Sequence, residues 1–360
     1  MNNRIIVGIS GGVDSSVTAL LLQKKGFDVE CVFMKNWEGN DDEYCTAEED
    51  YKDALAVCDH LGLPLRSVNF SQEYWDKVFQ HFIDEYKKGR TPNPDVLCNR
   101  EVKFKAFLDY ALELGAEKIA TGHYSIIDES NGDFKLLKGL DPGKDQSYFL
   151  YLLGQNALSK SIFPIGDIEK KEVRKLAEES GLVNHAKKDS TGVCFIGEQK
   201  FFKEFLKKYI PSNPGMIETI DGKECGKHDG LMYYTIGQRK GLGIGGGYGK
   251  LEAPWFVAEK DLYRNVLIVA QGHTHPALYH KQLFADQIHW IRGLVPEDLS
   301  GLSAKIRYRQ SDQKCKITEL SQDRCTVVFD KPQFAITPGQ SVVFYRHNEC
   351  LGGAVIDCRK

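Results

Sequence analysis

The chain has 360 residues, of which 42% are hydrophobic and 27% are charged, and its formal net charge at pH 7 is −3. This length favours two or three domains, and the composition is that of a globular protein. The small net charge neither favours nor excludes a polyanionic partner, because a local patch matters more than the total. No apolar run approaches the roughly 18 residues of a membrane span, and no signal or transit segment precedes the first strand. We therefore expect a cytoplasmic protein with no membrane partner.

From residue 4 to about residue 122, short apolar strands alternate with amphipathic helices. This alternation predicts a parallel sheet covered on both faces. The predicted strands are 4–9, 28–34, 65–68 and 118–121, and the predicted helices are about 15–25, 48–61, 74–88 and 101–114. Residues 91–99 contain two prolines and are predicted to form a loop.

The pattern changes in the second half of the chain. Residues 169–180 are predicted to form a helix, whereas residues 211–272 are rich in Gly, Pro and Tyr and suggest a small β-containing domain. Its strand-like segments are 231–236 and 266–270. From about residue 285 alternating strands predict a small barrel, with strands at 305–310, 315–320, 325–330, 341–346 and 351–356. The predicted domains are therefore 1–210, 211–273 and 274–360.

A glycine-rich loop lies between the first strand and the first helix, and its residues are Gly8, Ile9, Ser10, Gly11, Gly12, Val13, Asp14 and Ser15. Backbone amides at the positive end of a helix can converge on phosphate oxygens there. Asp14 would repel phosphate unless a cation lies between them, and we therefore expect Mg²⁺ at this carboxylate. The loop lacks the Gly-Lys-Ser/Thr of a Walker A motif and the Gly-x-Gly-x-x-Gly of dinucleotide-binding proteins. It resembles the loop of the PP-loop ATP pyrophosphatases, which implies ATP cleavage between the α- and β-phosphates.

Ten cysteines are scattered along the chain, and none are spaced as Cys-x-x-Cys. We expect most of them to be reduced and buried, and we expect neither a zinc site nor a redox cofactor. Cys98 follows Asn93-Pro94-Asp95 where a helix is predicted to begin, a position at which the helix dipole favours a thiolate. Cys194 lies among small residues in the segment 189–197. Either cysteine taken singly would more often be structural.

Several segments together resemble the tRNA-specific 2-thiouridylases over essentially the whole chain. Besides the glycine-rich loop, the matching segments are 91–95 with Cys98, 121–124, 144–148, 191–197, 235–239, 307–310 and 337–340. The resemblance implies an α/β fold, in which a doubly wound parallel sheet of the PP-loop type (adenine nucleotide alpha hydrolase-like) comes first. A small β-containing central domain and a C-terminal β-barrel, both contacting tRNA, would follow.

The resemblance also implies roles for individual residues. The glycine-rich loop would hold ATP, with Met34 and Gly122 lining the adenosine side. Asn93, Pro94 and Asp95 would contact the target base. The residues implied to contact tRNA are His123, Lys144, Asp145, Gln146, Arg307, Tyr308 and Gln340. Taken without the family, Met34 could be core, His123 a hydrogen-bonded strand-end residue, and Arg307 with Tyr308 a surface pair.

The implied reaction replaces an oxygen of a wobble uridine by sulfur. The uracil oxygen would attack the α-phosphorus of ATP, and the adenylated base would then receive sulfur from a persulfide on Cys194. Asp95 is a candidate base, although it could instead orient the uracil. Cys98, the second nucleophile, would either release sulfide from the persulfide or resolve an intermediate formed on the base. Both routes end in a Cys98–Cys194 disulfide, so the expected partners are tRNA, a persulfide-carrying sulfur donor and a reductant.

Two alternatives compete with this interpretation. Another PP-loop ligase would adenylate a small substrate and use ammonia, and it would not need Cys98 and Cys194. A non-enzymatic RNA-binding protein could retain the fold as a scaffold, although it would not need to keep Gly11, Gly12 and Asp14. tRNA-dependent ATP/pyrophosphate exchange distinguishes these possibilities.

Overall fold

A computed structural model describes residues 3–38, 47–189, 202–244 and 253–360. Cys194 and the motif at 191–197 lie outside the described residues. The described residues form three β-sheets, in the order predicted from the sequence, with the helices concentrated around the first sheet.

The strands, numbered in chain order, are β1 Arg4–Ile9, β2 Asp28–Lys35, β3 Leu65–Asn69, β4 Lys118–Ala120, β5 Ser125–Ser130, β6 Asp133–Lys138, β7 Ser161–Ile162, β8 Gly215–Thr219, β9 Glu224–His228, β10 Trp255–Asp261, β11 Val266–Gln271, β12 Tyr279–Trp290, β13 Ser303–Lys305, β14 Gln313–Leu320, β15 Arg324–Phe334, β16 Ser341–Arg346 and β17 Glu349–Arg359. The α-helices are Val13–Lys24, Ala47–Leu61, Ser71–Tyr74, Gln80–Lys87, Pro94–Leu97, Phe107–Glu113, Gln155–Ser159, Lys170–Glu179 and Phe202–Lys207. π-helical segments at Trp75–Phe79 and Cys98–Ala106 adjoin the neighbouring helices, and Phe104 forms a kink within the second of them.

The first sheet is parallel and has the strand order β3-β2-β1-β4-β7. Five of the six residues of β1 are buried, as expected for a central strand covered by helices on both faces. The strand order reverses between β1 and β4. In open α/β sheets ligands bind beyond the carboxyl ends of the strands at such a point. The glycine-rich loop after β1 and residues 121–123 after β4 therefore flank the expected crevice.

The central sheet has the order β10-β11-β8-β9, and the strand predicted at 266–270 is present as β11. The strand predicted at 231–236 is wrong. Leu231–Tyr233 is a short 3₁₀ helix, and both of its end residues are buried together with Tyr234. The hydroxyl of Tyr233 donates to the Ile210 carbonyl over 2.8 Å. The apolar side chains of this segment are therefore buried by a tight turn rather than by the alternating inward positions of a strand.

The third sheet closes into a six-stranded barrel in the order β12-β15-β14-β13-β16-β17, with β17 pairing back to β12. This confirms the predicted barrel, although two strand bounds were wrong. β12 begins at Tyr279 rather than near residue 285, and β13 ends at Lys305. The strand predicted at 305–310 does not form. The side-chain oxygen of Gln310 accepts the Ile306 N–H over 2.9 Å, and the Gln310 N–H donates to the Arg307 carbonyl, so these residues form a turn instead.

A hairpin from the first domain extends the barrel sheet. β5 pairs with β6, and β6 pairs antiparallel with β17 through Leu136 opposite Cys350 and Leu137 opposite Glu349. The first domain and the barrel therefore share one continuous sheet. The predicted domain limits at residues 210 and 273 stay predictions.

Candidate functional site

The glycine-rich loop forms the predicted connection between a buried strand and a helix. Gly12 is the N-cap residue, and the helix runs from Val13. The Ser15 hydroxyl accepts the Ser10 N–H over 3.1 Å and lies 3.1 Å from the Gly12 carbonyl, to which it donates. Asn184 donates from its side-chain amide to the Gly11 carbonyl over 2.9 Å. These contacts fix the loop at the positive end of the helix, where an anion binds favourably.

Asp14 faces a cation in this structure. Its Oδ1 accepts hydrogen bonds from Lys170 Nζ and from the Tyr124 hydroxyl, both over 2.7 Å. Burial and the charge of Asp14 raise the pKa of Tyr124, so the phenol stays protonated and donates. Lys170 is only 8% exposed. A buried ammonium therefore lies beside the loop that is expected to hold phosphate.

Asp189 forms ion pairs with Lys170 and with two further cations. Its carboxylate contacts Lys170 Nζ at 2.7 Å, Lys144 Nζ at 2.6 Å and Arg174 at 2.8 Å. Burial raises the pKa of Asp189, but the hydrogen bonds and charges of Lys144 and Lys170 outweigh burial and lower it to about 2. The cluster thus places three cations around one ionised carboxylate beside Asp14.

Sequence reasoning missed Lys170, Asn184 and Asp189. One signal was present, because Lys170 and Lys171 stand at the start of a helix, where the macrodipole disfavours positive charge. A lysine at that position therefore indicates that a negatively charged group lies close to it in the folded protein. The partner, Asp14, is 156 residues away in the chain.

Gly122 and Met34 both lie at this end of the sheet. A Cβ atom on Gly122 would lie 2.8 Å from the Asp14 carbonyl carbon and 2.8 Å from Ser15 N, so only glycine allows this close approach. Met34 Cε lies 3.1 Å from the Cβ position of Gly8. Both residues therefore border the glycine-rich loop, and their contact with adenosine stays a prediction.

The loop predicted at 91–99 is shorter than expected, because a helix begins at Pro94. Asn93 is its N-cap, and its side chain accepts the Asp95 N–H over 3.2 Å. Proline is favoured at the first helical position, where its missing N–H costs nothing. The start predicted near Glu101 is therefore wrong. Cys98 lies one turn inside the helix, beyond the first turn in which the dipole acts most strongly.

Cys98 and Asp95 lie on this helix in different environments. Cys98 is 4% exposed. Burial raises the pKa of Asp95, and the charge of Lys103 only partly opposes this. A carboxylate with a raised pKa is the stronger base once ionised, as a group that removes a proton requires. The helix turns π-helical from Cys98, a geometry often found at functional sites.

His123 is an interior residue. It is 7% exposed, its Nδ1 lies 2.7 Å from the Thr121 hydroxyl oxygen, and its ring packs between Phe104 and Phe163. Burial, together with the charge of Lys103, holds the pKa of His123 well below its usual value. The imidazole is therefore neutral, and any contact with tRNA would involve its hydrogen bonds or its ring rather than a positive charge.

Residues 144–146 connect the glycine-rich loop to the barrel. The side-chain oxygen of Gln146 accepts the Tyr124 N–H over 2.9 Å. Asp145 is 4% exposed and contacts Lys305 Nζ of the barrel at 3.1 Å. Lys144 binds Asp189 as described above. All three side chains are engaged within the protein, and their contact with tRNA stays a prediction.

The three barrel residues implied to bind tRNA also contact neighbouring domains. Arg307 donates to the carbonyls of Ile236 and Ala335 over 3.2 and 3.0 Å. The Tyr308 hydroxyl donates to the Lys144 carbonyl over 3.1 Å, and Gln340 Nε2 donates to the Thr91 carbonyl over 2.8 Å. These residues line the junction between domains, and their RNA contacts stay predictions.

Two further features bear on cofactors and membranes. Within the described ranges, no group of three or more His, Cys, Asp or Glu side chains is arranged to hold a metal ion. None of the helices that the structure describes is both long and apolar enough to cross a membrane.

Three family models match consecutive parts of the chain: the tRNA methyl transferase HUP domain at residues 3–198, the tRNA methyl transferase PRC-barrel domain at 203–271 and the aminomethyltransferase beta-barrel domain at 280–356. The parallel sheet with its glycine-rich loop thus belongs to a HUP-domain protein that carries two further β domains.

Curated relatives extend over the whole chain. The chain is 58% identical to the tRNA-specific 2-thiouridylase MnmA of Methylococcus capsulatus, covering 99% of this chain and 97% of the relative. It is 59% identical to the protein of the same name in Francisella philomiragia, covering 99% of each. The chain belongs to the tRNA-specific 2-thiouridylase family, which confirms the resemblance seen in the sequence.

Solved structures give weaker similarities. The U34-tRNA thiolase NcsA from Methanococcus maripaludis with its 4Fe-4S cluster is 21% identical, covering 58% of this chain and 67% of that chain with a TM-score of 0.36. A 4-thiouridine synthetase in complex with RNA and ATP is also 21% identical, covering 58% of this chain and 50% of that chain with a TM-score of 0.37. Overlaps of this size define neither fold nor function for this chain.

Proposed function

We infer that this chain is an enzyme that 2-thiolates tRNA, using ATP to activate the wobble uridine. The observation that carries the inference is the full-length identity of 58–59% to proteins named tRNA-specific 2-thiouridylase. The glycine-rich loop at the helix N-terminus and the buried cation at Asp14 support the use of ATP, because both suit a polyphosphate.

In the proposed first step, the uracil O2 attacks the α-phosphorus of ATP, and pyrophosphate leaves. Backbone amides of the glycine-rich loop and Lys170 would stabilise the phosphates as negative charge shifts toward the leaving group. Lys170 lies 2.7 Å from Asp14 and is positioned to exchange this partner for a phosphate oxygen. Asp95, with its raised pKa, would accept the N3 proton of the uracil or hydrogen-bond to it.

Mg²⁺ is part of this proposal. Both contacts of Asp14 fall on Oδ1, and within the described residues Oδ2 accepts no hydrogen bond. A single carboxylate oxygen suits Mg²⁺, which in nucleotide sites is held by one or two carboxylates and by the phosphates. When bound, the ion would neutralise charge on the pyrophosphate.

In the proposed second step, sulfur from a Cys194 persulfide adds to C2, and AMP leaves with the former O2. If the persulfide attacks directly, the Cys98 thiolate then attacks Cys194 Sγ, and the carbon–sulfur bond remains on the base. If Cys98 attacks the persulfide first, hydrosulfide is released and adds to C2. Each route yields AMP, pyrophosphate, 2-thiouridine and a Cys98–Cys194 disulfide, so a persulfide donor and a reductant are required.

The test is mass spectrometry of tRNA nucleosides after incubation with the enzyme, Mg-ATP, a persulfide-carrying sulfur donor and a thiol reductant. We expect one uridine per accepted tRNA to gain sulfur in place of oxygen, with stoichiometric AMP and pyrophosphate. Intact uridine alongside ATP turnover on a small substrate would support a different PP-loop ligase instead. Binding of tRNA without any ATP turnover would support an RNA-binding scaffold.

A further inference from the structure

The connection that leads into the Cys98 helix is held by other domains. The linker, residues 89–92, joins the helix ending at Lys87 to the helix that begins at Pro94 and carries Asp95 and Cys98. Its last two residues are buried. The position of the linker therefore determines where the Cys98 helix begins.

The barrel contacts the linker from one side. Gln340 Nε2 donates to the Thr91 carbonyl over 2.8 Å and lies 3.3 Å from the Pro92 carbonyl oxygen. The Thr91 N–H donates to the Pro338 carbonyl over 2.9 Å. A Cβ atom on Gly339 would lie 2.9 Å from Thr91 N, so the turn and the linker are in direct backbone contact. Arg90 adds a 3.0 Å ion pair with Asp357 of β17.

The central domain contacts two of these residues, Gly89 and Thr91, from another side. Lys260, on β10, donates from Nζ to the Gly89 carbonyl over 3.0 Å. The hydroxyl oxygens of Thr235 and Thr91 lie 3.4 Å apart. Every linker residue is therefore contacted by a domain other than the one that contains it. The linker is also held within its own domain, where Arg90 pairs with Glu85, so contacts from three domains meet on it.

We propose that Gln340 and Lys260 are positioning residues that set the location of the Asn93–Cys98 segment through the linker. Neither residue needs to touch the reacting atoms. Gln340 acts on Thr91 and Pro92, which directly precede Asn93, and Lys260 acts at the opposite end of the linker. This inference rests on the proposed roles of Asp95 and Cys98, and it assigns Gln340 a task other than direct contact with tRNA.

The test replaces each donor by an apolar side chain of similar length, as Gln340→Leu and Lys260→Met. The matched controls are Gln313→Leu, which removes a barrel amide that donates to the Ser311 carbonyl, and Lys227→Met, on the exposed face of β9. The first readouts need no substrate: the alkylation rate of Cys98 by iodoacetamide, followed on its own peptide, and hydrogen exchange of the amides of residues 93–98.

We expect both variants to raise Cys98 alkylation and local exchange by about threefold or more, because a Cys98 that is 4% exposed reacts only when its helix departs from this position. The controls should match the unmodified chain. In tRNA thiolation, kcat should fall about tenfold, while the Kd for tRNA and the KM for ATP should change less than about twofold, as expected for misplacement of reacting groups.

Weaker tRNA binding by Gln340→Leu with unchanged Cys98 alkylation would overturn the inference and indicate a direct RNA contact. Unchanged alkylation and exchange in both variants would also overturn it. If Gln340→Leu fails to fold, Lys260→Met tests the same linker from another domain. The substrate-free readouts are independent of the reaction, so a failure of thiolation by the unmodified enzyme would refute the proposed function and not this inference.

Discussion

Lys170→Met tests the cation at the glycine-rich loop most directly. Methionine keeps most of the aliphatic stem, so the change removes the ammonium and little packing. In the structure the ammonium lies 2.7 Å from Asp14 Oδ1 and 2.7 Å from Asp189 Oδ1. Lys171, the next residue, is the matched control, because its side chain is 81% exposed and pairs only with Glu169 among the described residues.

The expected loss of stability in Lys170→Met follows from the hydrogen bonds and ion pairs that remain after the substitution. Asp14 keeps the Tyr124 hydroxyl, and Asp189 keeps Lys144 and Arg174, so neither carboxylate is stranded. Loss of the charged hydrogen bonds should lower the free energy of unfolding by about 1–3 kcal/mol. For a chain of this size each kcal/mol shifts Tm by about 2–4 °C. The fold should therefore survive at room temperature.

Adenylation should be affected far more than stability. Removing one group that stabilises developing charge in a preorganised site typically costs about 100- to 1,000-fold in rate. The assay is tRNA-dependent exchange of labelled pyrophosphate into ATP, measured beside a thermal unfolding curve. Lys171→Met should match the unmodified enzyme in both. Exchange by Lys170→Met within about threefold of the unmodified enzyme would refute a phosphate-binding role and leave Lys170 as a structural ion pair.

Four further variants test other parts of the site. Asp14→Ala should abolish pyrophosphate exchange while the protein remains folded, and unchanged Mg-ATP binding by calorimetry would refute the magnesium assignment. Asp189→Asn should make the free energy of unfolding less dependent on pH between about pH 4 and pH 2. The folded-state pKa, about 2, lies below the usual 3.8, so ionised Asp189 stabilises the fold above about pH 4 and this contribution disappears toward pH 2. Urea unfolding across this range measures the difference. Cys194→Ser and Cys98→Ser should each keep pyrophosphate exchange but lose thiolation, because a serine hydroxyl cannot replace a thiolate, and full thiolation by either variant would refute the two-cysteine mechanism.

Local sequence signals predicted the elements that depend on neighbouring residues. The run Ile5 to Val7 reads as a buried strand, and the glycines that follow it read as a turn into a helix, which the structure confirms. The Asn93-Pro94 pair is an equally local signal, a helix cap followed by proline, but two prolines within residues 91–99 also favour a loop. The Cys98 helix was therefore predicted to start too late.

Contacts between distant parts of the chain could not be predicted in this way. Nothing in residues 125–138 indicates that this hairpin will pair with a strand beginning at Glu349. The pairing of Lys170 with Asp14 is likewise specified only by the folded sheet. Gln340, assigned from family resemblance, lies at the junction between the barrel and the first domain, and this contact is visible only in three dimensions.

The connection between the first domain and the barrel limits how RNA binding can be studied. Asp145 and Lys305 are 4% and 7% exposed, and their charged atoms lie 3.1 Å apart. Removing one partner of a buried ion pair leaves an uncompensated charge that typically costs about 3–5 kcal/mol. Deleting residues 274–360 would remove Lys305 and would also expose the edge of β6 that pairs with β17. Such a deletion would disturb the nucleotide domain as well, because Asp145 precedes Gln146, which binds the backbone of Tyr124 beside Asp14. Point variants in the intact chain are therefore needed to separate tRNA binding from ATP binding.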